Sequence, residues 1–166
     1  MGLIAMTRLI KNCRQDNFQV FFIVMRFSIC RYAMRIVRFL ASGREHFGRL
    51  HNDGRTTFLE GDLFDGLRDT GTSATVEKLL APVVPRDILC IGLNYKQHAA
   101  ESNAELPAHP VLFMKNSGAL QNPGDPIVLP RKLRSDEVDY ECELAVVIGK
   151  RCHNVARADA LKHVLG

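Results

Sequence analysis

The chain has 166 residues, of which 46% are hydrophobic and 24% charged, and its net charge is +4. This composition is typical of a globular protein, and no apolar run approaches the roughly twenty residues that a transmembrane helix needs. The positive charge comes from one end, because residues 1–44 hold eight basic residues and one acidic residue, whereas residues 45–166 hold fourteen basic and seventeen acidic residues. Nucleic-acid binding requires a basic face. We therefore expect neither a nucleic-acid partner nor a stable membrane span.

Residues 1–33 form a basic extension with an apolar run at residues 18–25 that Arg26 interrupts. The run is too short to cross a membrane, and it lacks the cleavage site of a secretory signal. Three interpretations remain open: translation begins at Met34, the segment is a mitochondrial presequence, or it forms a helix that packs on another surface. Under the first interpretation the segment is not native to the protein.

Residues 34–85 predict a small N-terminal domain. Strand-like patterns occur at residues 36–40, 47–50 and 56–59, and Asn52-Asp53-Gly54 between the last two predicts a hairpin. Gly48, Gly54 and Gly61 are expected in turns. Residues 75–80 predict a short helix, and the proline-rich residues 81–85 predict a linker, so we place a domain boundary there.

Residues 86–166 predict a second domain. Strands are expected at residues 87–92, 110–115 and 144–149, with a turn at residues 122–126. A helix is expected to begin after Asn154 as N-cap and to end before Gly166. The fold class predicted for the whole chain is therefore α+β and β-rich.

The five cysteines, at positions 13, 30, 90, 142 and 152, include no C-x-x-C pair. Cys90 and Cys142 lie in apolar, strand-like stretches, where a reduced and buried thiol is the usual state. This pattern favours a reducing compartment. We expect a cytoplasmic protein, or one of the mitochondrial matrix if residues 1–33 are a presequence.

Glu141 and Glu143 are the most informative pair of acidic residues. On an extended strand both carboxylates project from one face, and two carboxylates held together suit a hard divalent cation such as Mg²⁺, Mn²⁺ or Ca²⁺. The alternative is an exposed strand face that binds no metal. The apolar residues 144–148 that follow favour a position at a cleft.

His98 and Glu101 form a second candidate pair. Three residues apart on a helical turn, they would be neighbours, and the carboxylate would orient the imidazole as a general base for water. The alternative is a surface ion pair. Lys115 ends an apolar strand, where its ammonium group would either contact an anionic substrate or extend into solvent.

Three segments, residues 90–101, 110–115 and 138–150, resemble the fumarylacetoacetate hydrolase family in their order and spacing. The resemblance implies a small N-terminal domain followed by a mixed β-roll catalytic domain, and a homodimer for the full-length protein. It also implies a substrate with a 2-oxo acid or diketo unit, such as an acylpyruvate.

The resemblance further implies a role for each candidate residue. Glu141 and Glu143 correspond to two acidic ligands of a divalent metal, usually Mg²⁺. His98 and Glu101 correspond to the dyad that activates water, and Lys115 to a lysine near the substrate pocket.

The family's next metal ligand, an aspartate on a later strand, has no counterpart in this chain. We therefore expect residues 86–166 to be the incomplete start of the catalytic domain, in a C-terminally truncated chain. One hypothesis is a metal-dependent hydrolase or lyase that cleaves a C–C bond but is inactive as this fragment. The other is a catalytically dead remnant that binds a partner.

Overall fold

A computed structural model describes residues 34–166, so the expectations for residues 1–33 lie outside the described part of the chain. The strands are β1 (Ile36–Ala41), β2 (Arg44–Leu50), β3 (Thr56–Asp62), β4 (Gly66–Ser73), β5 (Lys78–Leu80), β6 (Ile88–Gly92) and β7 (Val111–Lys115). The helices are α1 (Lys96–Glu101) and two 3-10 helices, Ser117–Ala119 and Arg157–His163. This strand-rich arrangement confirms the predicted α+β, β-rich class.

Strands β1 to β5 form an antiparallel sheet in the order β4-β3-β2-β1-β5. The first four strands follow one another, and β5 returns to the free edge of β1, where Leu80 pairs with Arg38. The helix predicted at residues 75–80 is therefore wrong. Pairing with β1 decides the conformation there, since a short segment takes up the hydrogen bonds that a neighbouring strand offers.

Two tight turns give the sheet its register. Ser42 and Gly43 join β1 to β2 with φ angles of 50° and 68°, as a two-residue hairpin turn requires. Between β2 and β3 the predicted Asn-Asp-Gly turn is confirmed, and Gly54 has a φ of 86°. Its N–H donates a hydrogen bond of 3.1 Å to the carbonyl of His51.

The core of this sheet is built around Phe39, which is fully buried. Its ring lies 5.9 Å from that of His46 and 5.8 Å from that of Phe58, measured between centroids. Gly48 lies within β2, so the expected turn position is wrong for this residue. A Cβ atom there would lie 2.7 Å from the Phe39 ring and 2.6 Å from the Thr56 methyl group. The close approach of these side chains requires the glycine.

Strands β6 and β7 form a separate antiparallel ribbon, with Ile88 opposite Lys115 and Gly92 opposite Val111. Both strands match the predicted positions. After β6, Leu93 adopts a positive φ of 49° and turns the chain into α1. Within residues 34–166, no helix is both long and apolar enough to cross a membrane.

The last part of the chain differs from prediction. Within residues 34–166, residues 144–149 form an isolated bridge between Ile148 and Val164 and no regular strand, so the predicted strand is wrong. A strand needs a neighbour along its length, and here only the short stretch around Val164 supplies one. The predicted α-helix is a 3-10 helix that follows Ala156, and Asn154 does not cap it but has a φ of 52°.

Candidate functional site

His98 and Glu101 lie on α1, directly after the ribbon strand β6. The helix packs through Ala99, which is buried, and leaves both candidate side chains exposed. The prediction that these two residues share a helical turn is confirmed. A side chain at this position on a short helix is accessible to a small molecule.

The hydrogen bonding of α1 differs from the expected dyad. The Glu101 carboxylate accepts a hydrogen bond of 3.3 Å from the Gln97 amide, one helical turn earlier. In the part of the chain that the structure describes, no hydrogen bond joins His98 to Glu101. Their pairing as a water-activating dyad stays a prediction.

Glu141 and Glu143 are both exposed and lie in a segment without regular secondary structure. The expectation that strand alternation points both carboxylates to one face is therefore wrong, because the segment is not a strand. Cys142 between them is exposed as well, contrary to the buried thiol that was expected. The role of the two glutamates as metal ligands stays a prediction.

Tyr95 connects α1 to the segment that carries Glu141 and Glu143. It precedes α1 as the N-cap residue, and its hydroxyl oxygen accepts a 2.8 Å hydrogen bond from the backbone N–H of Leu144. Residues 141–143 are called the acidic segment below. Leu144 directly follows Glu143, so this bond holds the acidic segment against the start of the helix that carries His98. Sequence reasoning missed Tyr95, because the bond joins residues 49 positions apart in the chain.

Lys115 is not brought to α1. It ends β7 opposite Ile88, whereas α1 follows the other end of β6 at Gly92. Four residues of strand separate these two ends, which is about 13 Å at a rise of about 3.3 Å per residue. The Lys115 side chain is exposed, and its contact with substrate stays a prediction.

Carboxylate oxygens are the donors that a hard divalent cation prefers, so Glu141 and Glu143 fit such an ion by their chemistry. Across residues 34–166, however, no group of three or more His, Cys, Asp or Glu side chains is arranged to hold a metal. The two glutamates therefore supply only part of the ligands that such an ion needs. Two exposed carboxylates by themselves bind such an ion weakly.

Two family profiles match the chain. Residues 87–166 match "Fumarylacetoacetate (FAA) hydrolase C-terminal", and residues 34–82 match "Rv2993c-like, N-terminal". The second match covers the five-stranded sheet, and the first covers the ribbon, α1 and the acidic segment.

Among similar proteins, the fumarylacetoacetate hydrolase domain-containing protein 2 homolog of Dictyostelium discoideum is 51% identical over 89 residues, covering 54% of this chain and 28% of that protein. An uncharacterized protein of Archaeoglobus fulgidus is 43% identical over 129 residues, which is 78% of this chain and 48% of that protein. The mitochondrial oxaloacetate tautomerase fahd2 of Xenopus laevis is 46% identical over 89 residues, covering 53% of this chain and 27% of that protein.

Solved structures give the same result. The fumarylacetoacetate hydrolase of Exiguobacterium antarcticum superposes with a TM-score of 0.57 at 28% identity, covering 79% of this chain and 52% of that one. The chain thus spans about half, or less, of the length of the relatives it matches. The resemblance drawn from the three sequence segments is confirmed, and residues 87–166 belong to the fumarylacetoacetate hydrolase family.

Proposed function

We propose that this chain contributes to the active site of a metal-dependent hydrolase or lyase that cleaves a C–C bond in an acylpyruvate or related diketo acid. The observation that carries the proposal is the Tyr95–Leu144 hydrogen bond of 2.8 Å, which ties the start of α1 to the acidic segment. The family match over residues 87–166 supports the reaction class.

In this proposal Glu141 and Glu143 provide two carboxylate ligands to Mg²⁺, with Mn²⁺ and Ca²⁺ as alternatives. A bound divalent ion would polarise a substrate carbonyl and stabilise negative charge on oxygen. Tyr95 holds the backbone beside Glu143. The two carboxylates would therefore lose less conformational freedom when they bind the ion.

His98 acts as the general base that takes a proton from water, and Glu101 orients its imidazole. On a helix, residues three apart are close enough for this contact once Glu101 exchanges its hydrogen bond with Gln97 for one with His98. The hydroxide equivalent adds to the substrate carbonyl, the C–C bond breaks, and its electron pair passes to the departing enolate, which takes up the proton held by His98. Lys115 would attract the carboxylate end of a substrate long enough to reach along the ribbon.

A second candidate is the tautomerisation of oxaloacetate. It is favoured by the 46% identity over 89 residues to the Xenopus laevis oxaloacetate tautomerase. Tautomerisation moves a proton between carbon and oxygen of the same molecule and consumes no water. His98 would then be needed as a proton carrier, but no C–C bond would break.

Metal binding tests the role of the acidic pair. We expect the 166-residue chain to bind Mn²⁺ weakly in a titration followed by electron paramagnetic resonance. Glu141→Gln and Glu143→Gln should each weaken binding about tenfold or more, because each removes a charged oxygen donor. Glu105→Gln removes another exposed carboxylate and should leave binding unchanged. Unaltered binding in both site variants would show that these residues are not ligands.

Activity separates the two reactions. The full-length protein is assayed for hydrolysis of an acylpyruvate and for conversion of enol to keto oxaloacetate. Whichever of the two reactions is catalysed, His98→Gln should slow it about 10² to 10⁴-fold, which is the usual contribution of a general base. His109→Gln replaces another exposed histidine and should not slow it. Absence of both activities from the full-length protein would favour the alternative of a catalytically dead remnant that binds a partner.

We also propose that the full-length protein is a homodimer, as the family resemblance implies. Its proposed location is the cytoplasm or the mitochondrial matrix, and the Xenopus laevis relative is named as mitochondrial. Light scattering of the full-length protein and imaging of a fluorescent fusion would test these two points.

A further inference from the structure

Residues 122–125, Asn-Pro-Gly-Asp, form a rigid turn. The Asp125 N–H donates a 3.2 Å hydrogen bond to the Asn122 carbonyl, and Gly124 has a φ of 77°. Proline is common at the second position of a type II turn, and the third position requires a positive φ, which glycine adopts readily. The Asn122 amide also donates to the Asp125 carboxylate at 3.0 Å. The turn therefore presents its two polar side chains in a fixed arrangement.

Both side chains reach the five-stranded sheet. The Asp125 carboxylate lies 2.5 Å from the ammonium nitrogen of Lys78, the first residue of β5. The Asn122 side-chain oxygen accepts a 3.0 Å hydrogen bond from the backbone N–H of Ala81, which follows β5. These residues are about forty positions apart in the chain, so the contacts are tertiary.

Both backbone polar groups of Ala81, the N–H and the carbonyl, form hydrogen bonds with side chains. Its carbonyl accepts a 3.1 Å hydrogen bond from the Arg38 guanidinium, which also contacts the Glu45 carboxylate at 2.6 Å. Ala81 is 1% exposed, so its N–H has little access to water as a substitute for Asn122. An unpaired buried N–H costs about 1–3 kcal/mol, and the Asn122 bond avoids this cost.

We propose that the turn of residues 122–125 is a latch that docks residues 87–166 onto the β5 edge of the N-terminal sheet, with Asn122 and Asp125 as its positioning residues. The latch adds a hydrogen bond and an ion pair between the two regions that the proline-containing residues 82–85 connect along the backbone. It also covers part of an edge strand, whose free N–H and C=O groups would otherwise be open to pairing with another chain.

Hydrogen exchange of the complete 166-residue chain, read by mass spectrometry, tests the latch. In Asn122→Ala we expect the Ala81 amide to exchange about tenfold faster, the effect of losing one hydrogen bond. Protease cleavage within residues 82–87 should also become faster, while β2 and β3 keep their protection. Asp125→Asn removes the charge that Lys78 contacts and should produce a smaller change in the same places.

Asp136→Asn is the matched control, since Asp136 forms an exposed ion pair with the nearby Arg134 at 2.8 Å. Gly124→Ala keeps both latch side chains but strains the turn at its positive φ, and it should loosen the same amide. Unchanged exchange at Ala81 in Asn122→Ala would overturn the proposal. Equal loss of protection across β2 and β3 would also overturn it, because the turn would then belong to the core of the sheet. If Asn122→Ala does not fold, Lys78→Gln tests the ionic half of the latch.

Discussion

The N-terminal sheet and the β6–β7 ribbon start from similar apolar strand patterns and end in different packing. In the sheet Phe39 and Thr57 are completely buried, whereas in the ribbon all five residues of β7 are exposed, including Met114 at 65%. Both regions form antiparallel pairs of strands. The comparison shows that neighbouring strands suffice to form β-structure, but that burying its side chains requires further elements around them.

The largest expected effect comes from truncating one aromatic side chain in each region. Phe39→Ala should lower the free energy of unfolding by about 3–5 kcal/mol, because it leaves a cavity among buried neighbours. Phe113→Ala removes a ring that is 44% exposed and should cost less than about 1 kcal/mol. Urea denaturation followed by circular dichroism measures both. Equal costs would show that the ribbon is packed as tightly as the sheet.

A smaller effect is expected when a Cβ atom is added to a strand glycine in each region. Gly48→Ala should destabilise the sheet by about 1–3 kcal/mol, because the new atom would overlap the Phe39 ring and the Thr56 methyl group. Gly92→Ala in β6 meets only atoms at 3.5 Å or more, which is ordinary contact. The melting temperatures of the two variants compare the regions. A stable Gly48→Ala variant would mean that Phe39 can move aside.

The smallest effect concerns the pH dependence of the sheet. A hydrogen bond from the Gly71 backbone, followed by bonds from Thr57 and Arg49, holds the pKa of Asp69 below its usual value of 3.8, while burial opposes the shift. A lowered folded-state pKa means that the stabilisation is present above about pH 4 and is lost as the pH falls through the folded-state value.

Asp69→Asn should therefore be less stable than wild type at pH 7 and should differ less from it below the lowered pKa. Urea midpoints measured from pH 7 to pH 2 test this expectation. Glu60→Gln, which removes an exposed ion pair with Arg68, is the control and should change the midpoint little. A constant difference between Asp69→Asn and wild type at every pH would contradict the assignment.

Local sequence signals predicted those parts of the fold that depend on near neighbours. The Asn-Asp-Gly turn, the strands β6 and β7 and the helical turn of His98 and Glu101 were found where residue types and spacing placed them. Strand β4 was not predicted, since its Gly- and Thr-containing sequence has no strong apolar alternation. Pairing with β3 gives this segment its strand conformation.

Of the candidate site, the sequence by itself determined the family and the residue types: two nearby carboxylates, a histidine and glutamate on one helical turn, and a lysine at a strand end. Only the tertiary structure decided which of them meet. The Tyr95 hydroxyl binds the backbone next to Glu143, while the ribbon register places Lys115 at the end away from α1. The physical reason is that alternation and helical spacing describe contacts within one element, whereas contacts between elements depend on how distant segments pair and pack.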